Sequence, residues 1–206
     1  MPNRLIANRF NKITENTALP YRDMIIKFSN IQNKFIYKKI RNWISGKNVL
    51  DIGTGIGGFA YFLQDKGYNV KSIDVDNSSL FAKFPTKIYD GYTIPYDAGE
   101  FDTSLLVHVL HHCTNRMRVL REALRVSKRV ILVEDTYRNK LEWLVGSIND
   151  AIGNGEYYFH KYSTPSEWRK ILERENCNIL YEESYSRFTY HFLYGRYVIF
   201  VVEKNQ

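Results

Sequence analysis

The run Val49-Leu50-Asp51-Ile52-Gly53-Thr54-Gly55-Ile56-Gly57-Gly58 constrains this chain more than any other stretch. A short apolar strand closes beside an acid, a glycine-rich turn follows at once, and Phe59-Ala60-Tyr61-Phe62-Leu63 opens a helix. Glycine has no Cβ to block a ligand and tolerates positive φ, so such a turn lets a ligand touch backbone N–H groups. The helix start adds free donors and a partial positive field. Strand, turn and helix together predict a nucleotide-like ligand at the carboxyl edge of a parallel sheet.

The glycines do not choose that ligand. Gly53-x-Gly55-x-x-Gly58 satisfies a dinucleotide fingerprint, and Asp74 lies 21 residues past Gly53, where the ribose-binding acid of an NAD enzyme would stand. Asp51 separates the two cases. A carboxylate at the end of the first strand would oppose a pyrophosphate, a pairing of like charges. It suits a ligand that carries an ammonium group.

Apolar runs then alternate with helical spacing: strand 48–52, helix 57–66, strand 69–74, a short helix 77–83, strand 86–89, strand 102–108, helix 115–126 and strand 129–134. This alternation implies an α/β fold with a parallel sheet covered on both faces. Residues 137–162 form an insertion ending in the aromatic cluster Tyr157-Tyr158-Phe159-His160-Lys161-Tyr162. Thr164, Pro165 and Glu167 spell an N-cap, a first-turn proline and a capping-box acid for the next helix. Strands 177–182 and 196–203 end the pattern. Before the glycine turn, residues 1–20 read as an arm ending at Pro20. Ile25, Phe28, Ile31, Phe35, Ile36, Ile40, Trp43 and Ile44 fall near helical spacing, with Gly46 as a stop signal. The expected organisation is a basic helical appendage over 1–45 and one domain over 46–206, with 137–162 as a lid-like insertion.

Asp51-x-Gly53-x-Gly55-x-Gly57 resembles the first motif of class I S-adenosylmethionine (SAM) dependent methyltransferases. The resemblance continues in order through Ser72-Ile73-Asp74-Val75-Asp76, Tyr89-Asp90-Gly91, Ile94 to Asp102, Leu105 to His112, and Arg129 to Glu134. It covers roughly residues 45–136 and is closest to the small-molecule branch near the ubiquinone-type enzymes. It implies a Rossmann-like, seven-stranded, mostly parallel sheet with helices on both faces and an antiparallel C-terminal strand beside the fifth. It further implies that Asp51 attracts the SAM ammonium and that Gly53, Gly55 and Gly57 admit the methionine and ribose. Asp74 would accept the ribose hydroxyls, with Asp76 in reserve. Asp90 would read the adenine amine, Gly91 leave room for the ring, and His108 lie near the methionine moiety.

Charge is uneven. Residues 1–47 hold ten Lys/Arg and two acids, so the whole excess of the net +7 chain sits in the appendage. A solvated basic helix face explains this, and an RNA footprint is the alternative. Arg116, Arg118, Arg121, Arg125, Lys128 and Arg129 make a second basic region, read as a solvated face. The two cysteines, Cys113 and Cys177, suggest no disulfide framework and a reducing, cytoplasmic setting. No apolar run reaches the ~18 residues that would span a bilayer.

Methyl transfer from a sulfonium needs alignment of the acceptor within about 3–3.5 Å and exclusion of water. A base is needed only where the acceptor must lose a proton. Candidates are His108, His111, His112 and His160, since histidine titrates near neutrality. Tyr158 and His160, in the insertion, are the candidate substrate contacts. Adjacent residues on a turn seldom converge on one ion, so His111, His112 and Cys113 imply no metal site. Cys113 lacks the flanking proline of a nucleophilic cysteine. The expectation is a SAM-dependent methyltransferase acting on a small molecule, O- before N- or C-methylation, as monomer or homodimer. An RNA or protein methyltransferase and a non-catalytic SAM-binding scaffold are the alternatives.

Overall fold

Strand alternation and burial organise the molecule. The computed structural model describes residues 19–77, 85–154, 161–188 and 194–205. Helix α1 (Leu19–Ile40) leads into β1 (Asn48–Ile52), α2 (Gly58–Asp65), β2 (Asn69–Asp74), β3 (Thr86–Ile88) and β4 (Phe101–Val107). A single 3-10 turn (Leu110–His112) and α3 (Arg116–Val126) precede β5 (Ser127–Thr136). Then come α4 (Lys140–Asn154), α5 (Pro165–Arg174), β6 (Cys177–Phe188) and β7 (Tyr194–Lys204). The proposed short helix 77–83 lies almost entirely outside the described residues.

The strands form one seven-stranded sheet among the described residues, ordered β3-β2-β1-β4-β5-β7-β6. The first five strands in this order pair in parallel. β7 runs antiparallel to both β5 and β6. This matches the Rossmann-like sheet with an antiparallel C-terminal strand. Central strands are apolar on both faces because helices cover both: Val49, Leu50 and Ile52 of β1 and Leu105 and Leu106 of β4 are fully buried.

Two cores result. On one face Ile36 and Ile40 of α1 join Phe59 and Leu63 of α2 over Val49, Leu105, Ile131, Val133, Ile199 and Val201. On the other, Leu120 and Leu124 of α3 and Trp168 and Leu172 of α5 pack on Leu50, Ile52, Leu106, Val130, Leu132, Val198 and Phe200. Burying each such side chain contributes ~1.5–3 kcal/mol.

Local sequence sets the helix ends. Thr164 accepts from the Glu167 N–H, and the Glu167 carboxylate accepts from the Thr164 N–H, a complete capping box with Pro165 in the first turn. Asn115 caps α3 by accepting from the Arg118 N–H at 3.1 Å. α1 starts earlier than the sequence pattern indicates, with Leu19 and Pro20 inside it rather than in the arm. Proline has no N–H to lose in the first helical turn, so it opens a helix there instead of blocking one. The arginines of α3 and β5 are tie points at a solvated rim: Arg121 pairs with Glu175, Arg125 with Glu122, and Arg129 with Glu203. Residues 140–154 of the 137–162 insertion form α4, which packs on β7 and β5.

Candidate active site

β1 is flanked by β2 and β4, so its terminal acid is enclosed. Asp51 is 3% exposed, and the Thr54 hydroxyl donates to its Oδ2 at 2.7 Å. Burial pushes its carboxyl up to about 6; the Thr54 bond opposes that rise and the charge of Asp74 adds to it. Gly53 follows with φ +71°, and its N–H donates to the Ile73 carbonyl at 2.8 Å. A Cβ there would lie 2.7 Å from Cγ2 of Val109, so the turn after β1 abuts the turn after β4. Only glycine satisfies both the left-handed backbone and that approach.

Asp74 ends β2. Its Oδ2 accepts from the Gly55 N–H at 2.7 Å and its Oδ1 from the Val75 N–H at 2.6 Å. Burial raises the Asp74 pKa, against the pull of these hydrogen bonds. Gly55 and Gly57 both have positive φ, and Gly57 starts α2. Past β3, Asp90 Oδ1 accepts from the N–H groups of Tyr92 and Thr93, each at 2.7 Å. Those donors hold its carboxyl below the usual range. A Cβ on Gly91 would meet Cγ1 of Val75 at 3.0 Å, and Val75 is 49% exposed. Asp51, Asp74 and Asp90 thus mark three strand ends, with an apolar side chain beside them. Such an acidic rim fits a cationic ligand with a flat apolar part.

β4 and β5 supply the other half. Side chains alternate across a strand, so the consecutive acids Glu134 and Asp135 point to opposite faces of the sheet. Each holds one histidine at close range, and His111 Nε2 also lies 3.9 Å from Asp135 Oδ2. On the α3 face Glu134 Oε1 accepts from the N–H groups of Val109 and Leu110 at 3.1 and 2.8 Å. Its Oε2 lies 2.8 Å from Nδ1 of His111, and both side chains are almost wholly buried. On the α1 face Asp135 Oδ2 lies 2.7 Å from Nδ1 of His108, and these side chains are 26% and 22% exposed. His108 adopts φ +58°, unusual for a residue with a Cβ. Gln32 of α1 reaches its Nε2 at 3.4 Å. Burial disfavours the charged imidazole, but the Asp135 charge and hydrogen bond outweigh this and raise the His108 pKa. Burial likewise opposes the Asp135 carboxylate, and His108 pulls its pKa below the ordinary range. A small crevice beside Asp135, between α4 and the ends of β5 and β7, is lined by Thr136, Trp143, Gly146, Tyr162 and Arg196.

The structure therefore brings Asp51, Gly53, Gly55, Gly57, Asp74, Asp90, Gly91 and His108 to one edge of the sheet. His111 sits beneath that edge, clamped by Glu134. Cys113 packs against the α3-side core, and burial pushes its thiol up to about 12. Tyr158 and His160 lie outside the described residues. Sequence reasoning missed Thr54, Val75, Gln32 and Asp135. Only Asp135 left a readable signal, as an acid closing the fifth strand; the other three depend on which elements meet.

A family model described as a methyltransferase domain matches residues 50–130. Ajmaline N-methyltransferase of Rauvolfia serpentina is 28% identical over 109 residues, covering 45% of this chain and 38% of that protein. Ubiquinone biosynthesis O-methyltransferase of Pseudomonas aeruginosa is 26% identical over 150 residues, covering 61% of this chain and 65% of that one. The chain thus spans less than two thirds of the length of either relative. A solved SAM-dependent methyltransferase from Methanosarcina mazei superposes with a TM-score of 0.66 at 20% identity, covering 80% of this chain and 96% of that one. No helix among the described residues is long and apolar enough to cross a membrane. The strand order, the acid–glycine turn of β1 and the matched domain together support a methyltransferase domain of the class I SAM-dependent type, whose cofactor is S-adenosylmethionine.

Proposed function

We propose that the protein binds SAM across the ends of β1 and β2 and transfers its methyl group to a small-molecule acceptor, with oxygen as the atom methylated. The observation that carries this reading is the buried Asp51 carboxylate at the glycine turn, in line with Asp74 and Asp90. SAM supplies an activated methyl group on a sulfonium, whose leaving group is a neutral thioether. In this reading Asp51 receives the ammonium of its amino-acid tail, and Asp74 accepts the ribose hydroxyls in exchange for backbone donors. Asp90 has a second oxygen to offer the adenine amine, and Val75 and Gly91 present an apolar surface to the ring. His108 is the acceptor-side base; His111 holds the turn that carries it. Helix α4 closes over the acceptor, and helix α1 walls the entrance.

Calorimetry with SAM tests the cofactor half. Asp74→Ala removes a charge-assisted hydrogen-bond partner worth ~1.5–3 kcal/mol, so affinity falls about 10- to 100-fold. Near wild-type affinity removes the ribose assignment. The excess of basic residues within 1–47 supports a second reading, an RNA acceptor. A steep fall of RNA binding with salt supports it, and salt-insensitive or absent binding disposes of it.

A further inference from the structure

Three aromatic rings continue from His108 across the α1 face of the sheet. Tyr197 of β7 is the register partner of Asp135 on β5, and Tyr185 of β6 is the partner of Tyr197. Period-two alternation therefore sets Asp135, Tyr197 and Tyr185 in one row on one face. The His108 and Tyr197 rings stand 5.3 Å apart, edge to face. Tyr197 and Tyr185 stack at 5.2 Å, and Phe35 of α1 meets Tyr185 at 5.4 Å. Gly195 makes the row possible, since a Cβ there would lie 2.3 Å from the Tyr197 hydroxyl. Resting on the methyl-transfer reading above, we propose that Asp135 is the positioning carboxylate of His108, and that the pair, backed by the largely buried Phe35–Tyr185–Tyr197 row, accepts a planar acceptor bearing an acidic hydroxyl, a phenol or enol.

The chemistry follows from the geometry. The 2.7 Å contact with Asp135 makes Nδ1 of His108 the protonated nitrogen and leaves the Nε2 lone pair facing Gln32. The Gln32 amide marks the place where an acceptor O–H would donate. A neutral amine attacks with its own lone pair and sheds its proton afterwards. A neutral hydroxyl is a poor nucleophile until its proton leaves, so a base held at the site serves the hydroxyl. The acceptor proton passes to Nε2, the new C–O bond forms from the oxygen pair, and the C–S bond breaks with its pair going to sulfur. The resulting imidazolium is stabilised by Asp135. His111 and Glu134 lie behind this pair, His112 also acts on Asp135, the Tyr185 phenol acts on it from β6, and the Tyr197 ring packs on His108 from β7. Lys39 and Arg187 lie over the far end of the row, at Phe35.

The test uses 4-nitrophenol, whose visible absorption reports its own ionisation, added with S-adenosylhomocysteine to the full chain. The bound probe is expected as phenolate at a pH where the free probe is largely neutral. Most of that ionised fraction is lost in Asp135→Asn and in His108→Gln, and Asp135→Glu restores part of it. Phe35→Ala weakens probe binding about 3- to 10-fold, the worth of one aromatic pair. In imidazole NMR the His108 titration moves to lower pH in Asp135→Asn. An unbound or neutral probe, or a His108 titration unmoved by Asp135→Asn, overturns the proposal. SAM calorimetry on the same samples separates the two claims. If the wild type takes no SAM, the methyl-transfer reading falls, while the probe and the NMR still judge the pair. Retained SAM binding in Asp135→Asn or His108→Gln certifies that the variant is folded.

Discussion

Burial makes Asp51 a pH-sensitive part of the proposed cofactor site. Its folded pKa of about 6 stands above the ordinary 3.8, so the folded chain holds this proton more tightly than the unfolded chain. Without ligand, the stability it contributes is fully present below the unfolded value and is lost as pH rises through the folded one. A SAM ammonium reverses the preference, because it requires the ionised form. SAM affinity should therefore climb between about pH 5 and 7 in calorimetry, following the fraction ionised at that carboxyl. In Asp51→Asn the affinity should be flat with pH across that interval and about tenfold or more weaker at neutrality. A slope retained by the variant would assign it to another group. The neighbouring Asp90 differs in kind: the Thr93 and Tyr92 N–H groups hold its carboxyl below the usual range before any ligand arrives, whereas burial raises the Asp74 carboxyl despite its own N–H donors.

Among the elements, the junction of β4 with the 3-10 turn depends on a single side chain from β5. Glu134 closes two backbone N–H groups and one imidazole inside the sheet's α3 face. Truncation to alanine leaves all three buried without their acceptor. Glu134→Ala should lower unfolding stability by about 3–5 kcal/mol, read as a shift of the urea midpoint at unchanged slope. Glu134→Gln keeps an acceptor oxygen and should cost less. A loss below 1 kcal/mol in the alanine variant would mean that the turn holds itself. Glu134 and His111 thus fix the turn, with His111 also 3.9 Å from Asp135, while the closer Asp135–His108 pair remains partly exposed.

For the whole molecule, the proposed cofactor site spans the ends of β1 and β2, strands that contribute to both cores. A ligand seated there ties the two layers together, and only the folded chain can bind it. At 100 times its dissociation constant SAM should stabilise the fold by ~2.7 kcal/mol. For a chain of this size that is a rise of about 5–10 °C in the thermal midpoint. Scanning calorimetry across a SAM series checks it, and a midpoint independent of SAM would show that the site does not take the ligand.

How much the chain announced in advance varied with the range of the interaction. β1, β2 and β5, the glycine turn and the Thr164–Glu167 capping box were legible, because each rests on residues within a few positions of one another. Asp51 and Asp74 were legible because a strand end and a glycine turn place them by covalent connection alone. Residues 1–20 misled in part, since Pro20 opens α1 rather than ending an arm. The histidines mark the boundary. Sequence alone put His108, His111 and His112 within five positions and offered no way to rank them. Their separation arose from β5, some 25 residues away, whose alternating acids sent one histidine into the core and the other to the cleft. Gln32, Tyr185 and Tyr197 joined that cleft only because α1 crosses the sheet there and β7 inserts between β5 and β6. Local backbone chemistry fixed the glycine turn after β1. Strand pairing between distant segments, which no local pattern encodes, decided which face each functional side chain occupies.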